Sequence, residues 1–198
     1  MKQLILIPLL LCGFSINAFA VKVGEMAPAF ELRNGNGKSI SLTDYKGKTV
    51  VLEWLNHDCP YVKKHYGSGN MQALQKKYTK DGVIWLSIIS SAPGKQGYLQ
   101  GGDVARMTKE KNASPSEVLL DSSGKVGKLY GATTTPHMYV IDATGKLVYM
   151  GAIDDKPSTD QSDIKGATNY VAQALDAIKK GAPVKTSLTS SYGCGVKY

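Results

Sequence analysis

Hydrophobic and polar residues alternate along this chain in a way that predicts strands and helices in turn. Short runs of β-branched and aliphatic residues, bounded by glycine or polar residues, predict buried strands. These predicted strands are 30–32, 39–42, 50–55, 83–89, 117–121, 137–142 and 146–152. Apolar residues at helical spacing predict helices between them. The predicted helices are 60–80 with a break near 67–69, then 103–111, 124–130 and 164–179. This order indicates a single α/β domain.

Three segments stand outside the regular alternation. Near the N-terminus, two short strands flank Asn34-Gly35-Asn36-Gly37 and predict a hairpin. The stretch 91–102 contains glycine and proline and predicts a loop long enough to line or cover a site. Residues 182–198 have no clear periodicity and are predicted to form a tail that ends in Tyr192-Gly193-Cys194-Gly195.

The first twenty residues have the three parts of a secretory signal peptide. A charged start at Met1-Lys2 precedes an apolar core from Leu4 to Phe14, and Ala18-Phe19-Ala20 supplies a small-x-small cleavage site. The apolar run is too short to span a bilayer. We therefore expect cleavage after Ala20 and export, which makes the mature chain periplasmic or secreted.

Charge narrows the range of partners. The chain carries 24 Lys and Arg residues against 16 Asp and Glu residues, a formal net charge of +8. The lysines are scattered, and the arginines are Arg33 and Arg106. Because nucleic-acid binding needs a clustered basic patch, no nucleic-acid partner is expected. No later segment approaches membrane-spanning length, so domain 21–181 and tail 182–198 are expected to be soluble, without a membrane partner.

Cysteine usage leaves a simple choice. The sequence has three cysteines, and removal of the signal peptide takes Cys12 and leaves Cys59 and Cys194 in an oxidising compartment. Two cysteines permit one intramolecular disulfide, or two free or intermolecular thiols. One interpretation is a structural disulfide that links the tail to the domain. The other is a nucleophile with a distant resolving partner.

Cys59 lies where a reactive thiol is expected. It follows a buried strand and precedes Pro60, which fits the first position of a helix because its missing N–H has no partner there. The residue before a proline avoids helical geometry, which makes Cys59 the N-cap. A thiol at this position faces the free amides of Tyr61 and Val62 and the positive end of the helix dipole. Both favour the thiolate, which is the reactive form.

The order of these features resembles the thioredoxin-like superfamily, in its redoxin or peroxiredoxin-like (AhpC/TSA-type) branch. The resemblance covers about 23–180 and rests on two motifs: the segment from Asn56 to Val62 looks like the active-site turn, and Thr135-Pro136 looks like the cis-proline motif. It implies a central mixed sheet flanked by helices, here with an N-terminal hairpin extension. It also implies that the cis-proline loop lies against the reactive sulfur.

The motifs depart from the family pattern at several positions. A thioredoxin has two cysteines spaced C-x-x-C, and Asn56 stands where the first would be. Cys59 occupies the second position, where a peroxiredoxin carries its peroxide-attacking cysteine. Peroxiredoxins also have a threonine and a proline where this chain has Asn56 and Leu52, and an arginine near the segment 134–137. These departures argue against efficient peroxide reduction and leave thiol–disulfide chemistry in place.

Several residues are predicted to support the site around Cys59: Trp54, Asn56, His57, Thr135, Pro136 and His137. Trp54 would line one wall of the site, and Asn56 would form a hydrogen bond with a bound oxygen or a mixed-disulfide partner. The histidines have two interpretations, a base or thiolate partner on one hand and polar residues hydrogen-bonded beside the turn on the other. Together with Cys59 they would also suit a copper or zinc site, although no metal ligand is assigned.

The sequence therefore predicts an exported redoxin that needs no cofactor. The Cys59 thiolate attacks a disulfide or a hydroperoxide, and Cys194 or an external thiol resolves the product. For Cys194 to take part, the tail must fold back over the site, and its flanking glycines permit the turn. A redox partner protein or a small thiol completes the cycle. Two alternatives stay open: a copper-handling protein similar to Sco-type chaperones, and a binding module without turnover.

Overall fold

A seven-stranded mixed sheet forms the centre of the protein. The structure, a computed structural model, describes residues 21–198, and the predicted signal peptide lies outside them. The strands are β1 (Glu31–Asn34), β2 (Ser39–Ser41), β3 (Val50–Trp54), β4 (Ile84–Ile89), β5 (Glu117–Leu120), β6 (Thr134–Thr135), β7 (His137–Ile141), β8 (Leu147–Gly151) and β9 (Cys194–Gly195). The sheet order is β2-β1-β5-β4-β3-β7-β8, while β6 and β9 form a separate pair.

The sheet is parallel at its centre and antiparallel toward its edges. Strand β4 runs parallel to both β3 and β5, whereas β7 and β8 continue the sheet in antiparallel pairing. The predicted N-terminal hairpin is present as β1–β2, and it extends the sheet because β1 pairs with β5. The thioredoxin-like α/β architecture that the motifs implied is therefore confirmed.

Between residues 21 and 198, five α-helices flank the sheet: α1 (Pro60–Gly67), α2 (Asn70–Lys80), α3 (Gly101–Glu110), α4 (Lys125–Tyr130) and α5 (Tyr170–Lys179). The predicted break separates α1 from α2, and Gly69 takes a left-handed φ of 77° there, a conformation that favours glycine. Within residues 21–198, no helix has both the length and the apolar character to cross a membrane.

The last helix begins later than the apolar spacing predicts. The predicted start at Ile164 is wrong, because 161–166 form a 3₁₀ turn and α5 begins at Tyr170. Asn169 is the N-cap, and its side chain accepts a hydrogen bond from the Ala172 N–H at 2.8 Å. Ile164 fits the helical spacing by chance, while the capping side chain determines where the helix starts.

Strand β3 carries the two layers of the core on its two faces, and all five of its residues are buried. Val50, Leu52 and Trp54 pack into one hydrophobic layer. Val51 packs into the other layer, which also contains Cys59 together with residues of α1, α2 and α5. Alternation of side chains along β3 places Trp54 and Val51 in different layers, and Cys59, beyond the end of the strand, packs in the layer of Val51.

The tail is bound along its length rather than free. The N–H of Met150 donates to the carbonyl of Ser187 at 3.0 Å, which adds the tail to the edge of β8. Further along, β9 pairs with β6, and the hydroxyl of Tyr198 donates to the Ala132 carbonyl at 2.7 Å. Backbone pairing and single side-chain contacts hold this segment, which explains why its sequence shows no periodic apolar face.

Replacing the cap of α5 tests this helix boundary. Asn169→Ala should lower the free energy of unfolding by about 1 kcal/mol, because the Ala172 N–H loses its acceptor. Urea denaturation measures the change, with Gln173→Ala, an exposed position on the same helix, as the control that should stay within a few tenths of a kcal/mol of wild type. If the helix began at Ile164, Asn169 would lie in its interior, and alanine there would raise stability instead.

Candidate active site

Cys59 occupies the junction between β3 and α1. Its backbone is extended (φ −66°, ψ 127°), it is the N-cap of α1, and Pro60 is the first helical residue. The Cys59 N–H donates to the Asn56 carbonyl at 3.0 Å, and the Asn56 side chain accepts from the Asp58 N–H at 2.9 Å. These two bonds fold the turn from 56 to 59 and fix the sulfur, which is 0% exposed.

The predicted cis-proline motif lies directly against this sulfur. The Thr135–Pro136 peptide bond is cis, and the Cys59 thiol donates a hydrogen bond to the Thr135 carbonyl at 3.1 Å. Both segments reach the same place because Trp54, the last residue of β3, pairs with His137, the first residue of β7. The residues just beyond these two strand ends are therefore neighbours.

Cys194 completes the site from the tail. Pairing of β9 with β6 sets Cys194 opposite Thr135, and the Cys194 N–H lies 3.4 Å from the Cys59 sulfur. The Thr135 hydroxyl also donates to the Cys194 carbonyl at 3.4 Å. Both thiols are free, and Cys194 is partly exposed. The tail thus folds back over Cys59, as a resolving role for Cys194 would require.

The close approach of the tail depends on Gly193. This glycine has a φ of 141°, and a Cβ at its position would lie 2.1 Å from the Thr135 carbonyl oxygen. Any larger residue would therefore push the tail away from the cis-proline loop. The glycine before Cys194 provides close packing as well as conformational freedom.

Asn56 joins the active-site turn to the predicted loop. Its side-chain N–H donates to the Gln96 carbonyl at 3.2 Å, and Gly97 packs so tightly that a Cβ there would lie 2.2 Å from the Asn56 oxygen. The predicted loop therefore lies against the site, although it ends at residue 100 because α3 begins at Gly101. The Asn56 amide is committed to these internal contacts.

Of the two predicted histidines, His57 lies in the turn and His137 lies beside it, and neither forms a hydrogen bond with the Cys59 sulfur. His57 packs edge-on against Tyr66, with ring centroids 5.0 Å apart, and His137 packs against Tyr139 at 4.6 Å. Burial lowers the pKa of each histidine to about 4, so both are neutral near pH 7. In the part of the chain described, the hydrogen bonds of the Cys59 sulfur go to Thr135 and Cys194.

Among the described residues, His57, His137 and Cys59 do not come together as a set of metal donors. Within residues 21–198, no three side chains of His, Cys, Asp or Glu are arranged to hold a metal ion.

Trp54 is fully buried in the layer opposite Cys59, packs on Tyr130 and Tyr139, and donates from its indole N–H to Ser90 at 3.0 Å. It supports β3 from inside the core and does not line the site.

Comparison with known proteins assigns the family. Residues 23–150 match the model of the AhpC/TSA family, which is more than half of the chain. The chain belongs to the AhpC/TSA family. The redoxin branch of the thioredoxin-like superfamily, predicted from the turn and the cis-proline motif, is thereby confirmed.

Relatives of this AhpC/TSA protein include two kinds of redox enzyme. It is 27% identical over 137 residues to thiol-disulfide oxidoreductase ResA of Bacillus thuringiensis subsp. konkukian (69% of this chain, 73% of that protein). It is 30% identical over 154 residues to chloroplastic peroxiredoxin Q of Suaeda salsa (72% and 66%). The crystal structure of an uncharacterized conserved protein from Geobacillus kaustophilus superposes with a TM-score of 0.75 at 28% identity, over 89% of this chain and 92% of that one. The two named enzymes support oxidoreductase activity.

In this AhpC/TSA protein the pKa values of the two thiols are shifted in opposite directions. Burial raises the pKa of the Cys59 thiol, but the nearby Cys194 thiol and the amides of Val62 and Cys194 outweigh it, so the pKa is lowered overall. Burial and the neighbouring Cys59 sulfur raise the pKa of Cys194 to about 11. The sulfur makes no side-chain capping bond to α1, so the tail supplies much of the stabilisation that the helix start predicts. Cys59 is the better nucleophile of the pair.

One buried acid next to the site was missed in the sequence. Glu53 is 0% exposed, and its carboxyl group accepts hydrogen bonds from four side chains. The donors, at 2.8 to 3.2 Å, are Tyr66, Gln75, Trp85 and Ser87. Burial raises the pKa of Glu53 despite these donors. A charged residue inside an apolar strand was the available signal, since such a residue needs buried partners.

Neutralising Glu53 should change how stability depends on pH. Because the folded-state pKa is raised, the stabilising effect of the bound proton is complete below about pH 4.3, the unfolded value, and is lost as the pH rises through the folded value. Wild type should therefore lose stability relative to Glu53→Gln above that pH, by about 1.4 kcal/mol for each unit of raised pKa. Urea unfolding across the pH range measures this, with exposed Glu25→Gln as control. A difference between Glu53→Gln and wild type that stays constant with pH would contradict the assignment.

Proposed function

We propose that this protein is an exported thiol–disulfide oxidoreductase in which Cys59 and Cys194 of one chain form the redox pair. The observation that carries the proposal is the position of Cys194, whose N–H lies 3.4 Å from the Cys59 sulfur while both thiols are free. Membership of the AhpC/TSA family and the relatives named as thiol-disulfide oxidoreductases support the reaction class. Export rests on the signal-peptide pattern of residues 1–20.

Because the Cys59 sulfur is 0% exposed beneath the tail, a substrate reaches it when the tail moves aside. The reaction then begins with the Cys59 thiolate. It attacks one sulfur of a substrate disulfide, which breaks the substrate S–S bond, releases one substrate thiolate and leaves a mixed disulfide on Cys59. Cys194 then passes its proton to water or to the released substrate thiolate and attacks the Cys59 sulfur. This forms the Cys59–Cys194 disulfide and releases the second substrate thiolate. Two electrons have passed from the cysteine pair to the substrate.

The contacts around the sulfur suit these steps. In the reduced state the Thr135 carbonyl accepts the thiol hydrogen of Cys59, and after ionisation the Cys194 N–H stabilises the negative sulfur. The raised pKa of Cys194 keeps that thiol protonated until the mixed disulfide has replaced the neighbouring negative charge. The order of attack therefore follows from the acidity of the two groups.

Regeneration of the reduced pair requires an outside electron donor, a redox partner protein or a small thiol. In the oxidised protein the donor can reach Cys194, because that residue is partly exposed whereas Cys59 is fully buried. Attack on Cys194 releases Cys59, the thiol of lower pKa and hence the better leaving group. A second donor thiol then frees Cys194 and completes the reduction.

The position of the arginines favours a disulfide over a hydroperoxide as substrate. Arg106 lies on the exposed face of α3 and pairs with Asp103 at 2.9 Å and Glu110 at 3.2 Å. Arg33 donates to the Gly37 carbonyl in the N-terminal hairpin. Neither guanidinium contacts the Cys59 turn, so the peroxide-binding arginine of peroxiredoxins has no counterpart there.

Serine substitutions separate the two thiols. Cys59→Ser should lower the rate of disulfide reduction by about 10³-fold or more, because a hydroxyl is a weak nucleophile without a base beside it. Cys194→Ser should still attack once and accumulate a mixed disulfide on Cys59. Turnover is followed with a peptide disulfide as substrate, and the adduct is located by mass spectrometry.

The control for both variants is the circular dichroism spectrum, which should match that of wild type. Wild-type turnover by Cys59→Ser would contradict the assignment of the nucleophile. Release of both substrate thiols by Cys194→Ser without an added thiol would contradict the assignment of the resolving residue.

A further inference from the structure

Three ionisable side chains are buried together beside α1. Lys64 and His65 have fully buried side chains, and that of Asp154 is 1% exposed. The Lys64 nitrogen lies 3.6 Å from one oxygen of Asp154, and the His65 Nε2 lies 4.0 Å from the same oxygen. Lys64 also donates to the Lys156 carbonyl at 2.6 Å. Buried charges of this kind need a complete set of partners.

Tyr192, in the tail, supplies a hydrogen-bond partner for both Asp154 and His65. Its hydroxyl donates to the second oxygen of Asp154 and lies 3.2 Å from His65 Nε2. Because the Tyr192 hydroxyl donates its hydrogen bond to Asp154, the hydroxyl oxygen is left to accept a hydrogen bond from the Nε2–H of His65. The other ring nitrogen of His65 accepts from the Asn70 side chain at 2.9 Å. A directed chain of hydrogen bonds therefore runs from Asn70 through His65 and Tyr192 to Asp154.

This anchor lies two residues before Cys194, where the tail needs one. The pairing of β9 with β6 spans two residues, and a slip of one residue would turn the Cys194 side chain to the opposite face. So short a pairing specifies its register weakly. Among the described residues, the bond from the Tyr192 hydroxyl to the buried Asp154 carboxylate is the side-chain hydrogen bond nearest to Cys194 on its N-terminal side.

We propose that Tyr192 is a positioning residue for disulfide closure. Its hydroxyl sets the register of β9 on β6 and so holds the Cys194 thiol against Cys59. The inference rests on the proposed redox pair and adds to it a side chain whose hydroxyl bonds to Asp154 and His65 rather than to either sulfur. A variant without the hydroxyl still contains both thiols, but they face each other in a smaller fraction of the molecules.

An aromatic disulfide, 5,5′-dithiobis(2-nitrobenzoate), resolves the two steps. The first thiol of the protein attacks it and releases one coloured aryl thiolate, in a phase whose rate rises with reagent concentration. The second thiol then attacks the protein-bound mixed disulfide, forms the Cys59–Cys194 bond and releases a second aryl thiolate, in a phase independent of that concentration. Stopped-flow absorbance measures both phases.

Tyr192→Phe should slow the concentration-independent phase by about tenfold or more, the factor that corresponds to one lost hydrogen bond to a charged group. The matched control is Tyr61→Phe, because the Tyr61 ring packs on Tyr192 at 5.8 Å while its hydroxyl makes no hydrogen bond among the described residues. That variant should close at the wild-type rate. An overall loss of stability would lower the melting temperature without producing this selective slowing.

A second variant acts from a distance in case Tyr192→Phe fails to fold. Asn70→Asp places a carboxylate where the His65 Nδ1 lone pair now accepts, which draws the ring hydrogen to Nδ1 and removes the donor to Tyr192. Closure should slow to a rate between those of wild type and Tyr192→Phe. Closure at the wild-type rate in whichever of the two variants folds would overturn the positioning role. Absence of the second phase in wild type would instead overturn the proposed redox pair.

Discussion

Cys59 holds its sulfur between two backbone groups, the carbonyl of Thr135 and the N–H of Cys194, and the site depends on this arrangement. The two groups belong to strands that pair with each other, so one short ladder sets both contacts. The carbonyl accepts from the thiol, and the N–H stabilises the thiolate. The same pairing buries the sulfur and brings the second thiol to it, so geometry, acidity and access all follow from one contact.

The rest of the fold brings these strands together. Antiparallel pairing of β3 with β7 sets the end of one strand beside the start of the other, which makes the Cys59 turn and the cis-proline loop neighbours. The buried residues of β3 hold this register from both sides, with Trp54 in one layer and Glu53 in the other. On the tail, Gly193 permits the close approach and Tyr192 anchors it to a buried carboxylate.

Much of this architecture is visible in the sequence because local rules govern it. The strand pattern, the Asn-Gly hairpin turn and Pro60 after Cys59 each depend on neighbours within a few residues, and the structure has all three. The start of α5 was wrong because apolar spacing outweighed the capping residue Asn169. The position of the tail was not predictable, since it depends on pairing between residues nearly sixty positions apart, Thr135 and Cys194. Glu53 and Tyr192 were missed for the same reason, because their partners lie on distant elements.

The most direct test is to find the bond that forms when the protein is oxidised. A mixture of ordinary and ¹⁵N-labelled mature protein, equilibrated in a glutathione redox buffer, is digested without reduction and its linked peptides are identified by mass spectrometry. The structure predicts a Cys59–Cys194 peptide in which both halves carry the same label, and which disappears as the buffer becomes more reducing. A bond that joins different chains, or one that survives strong reductants in the folded protein, would contradict a redox pair within one chain.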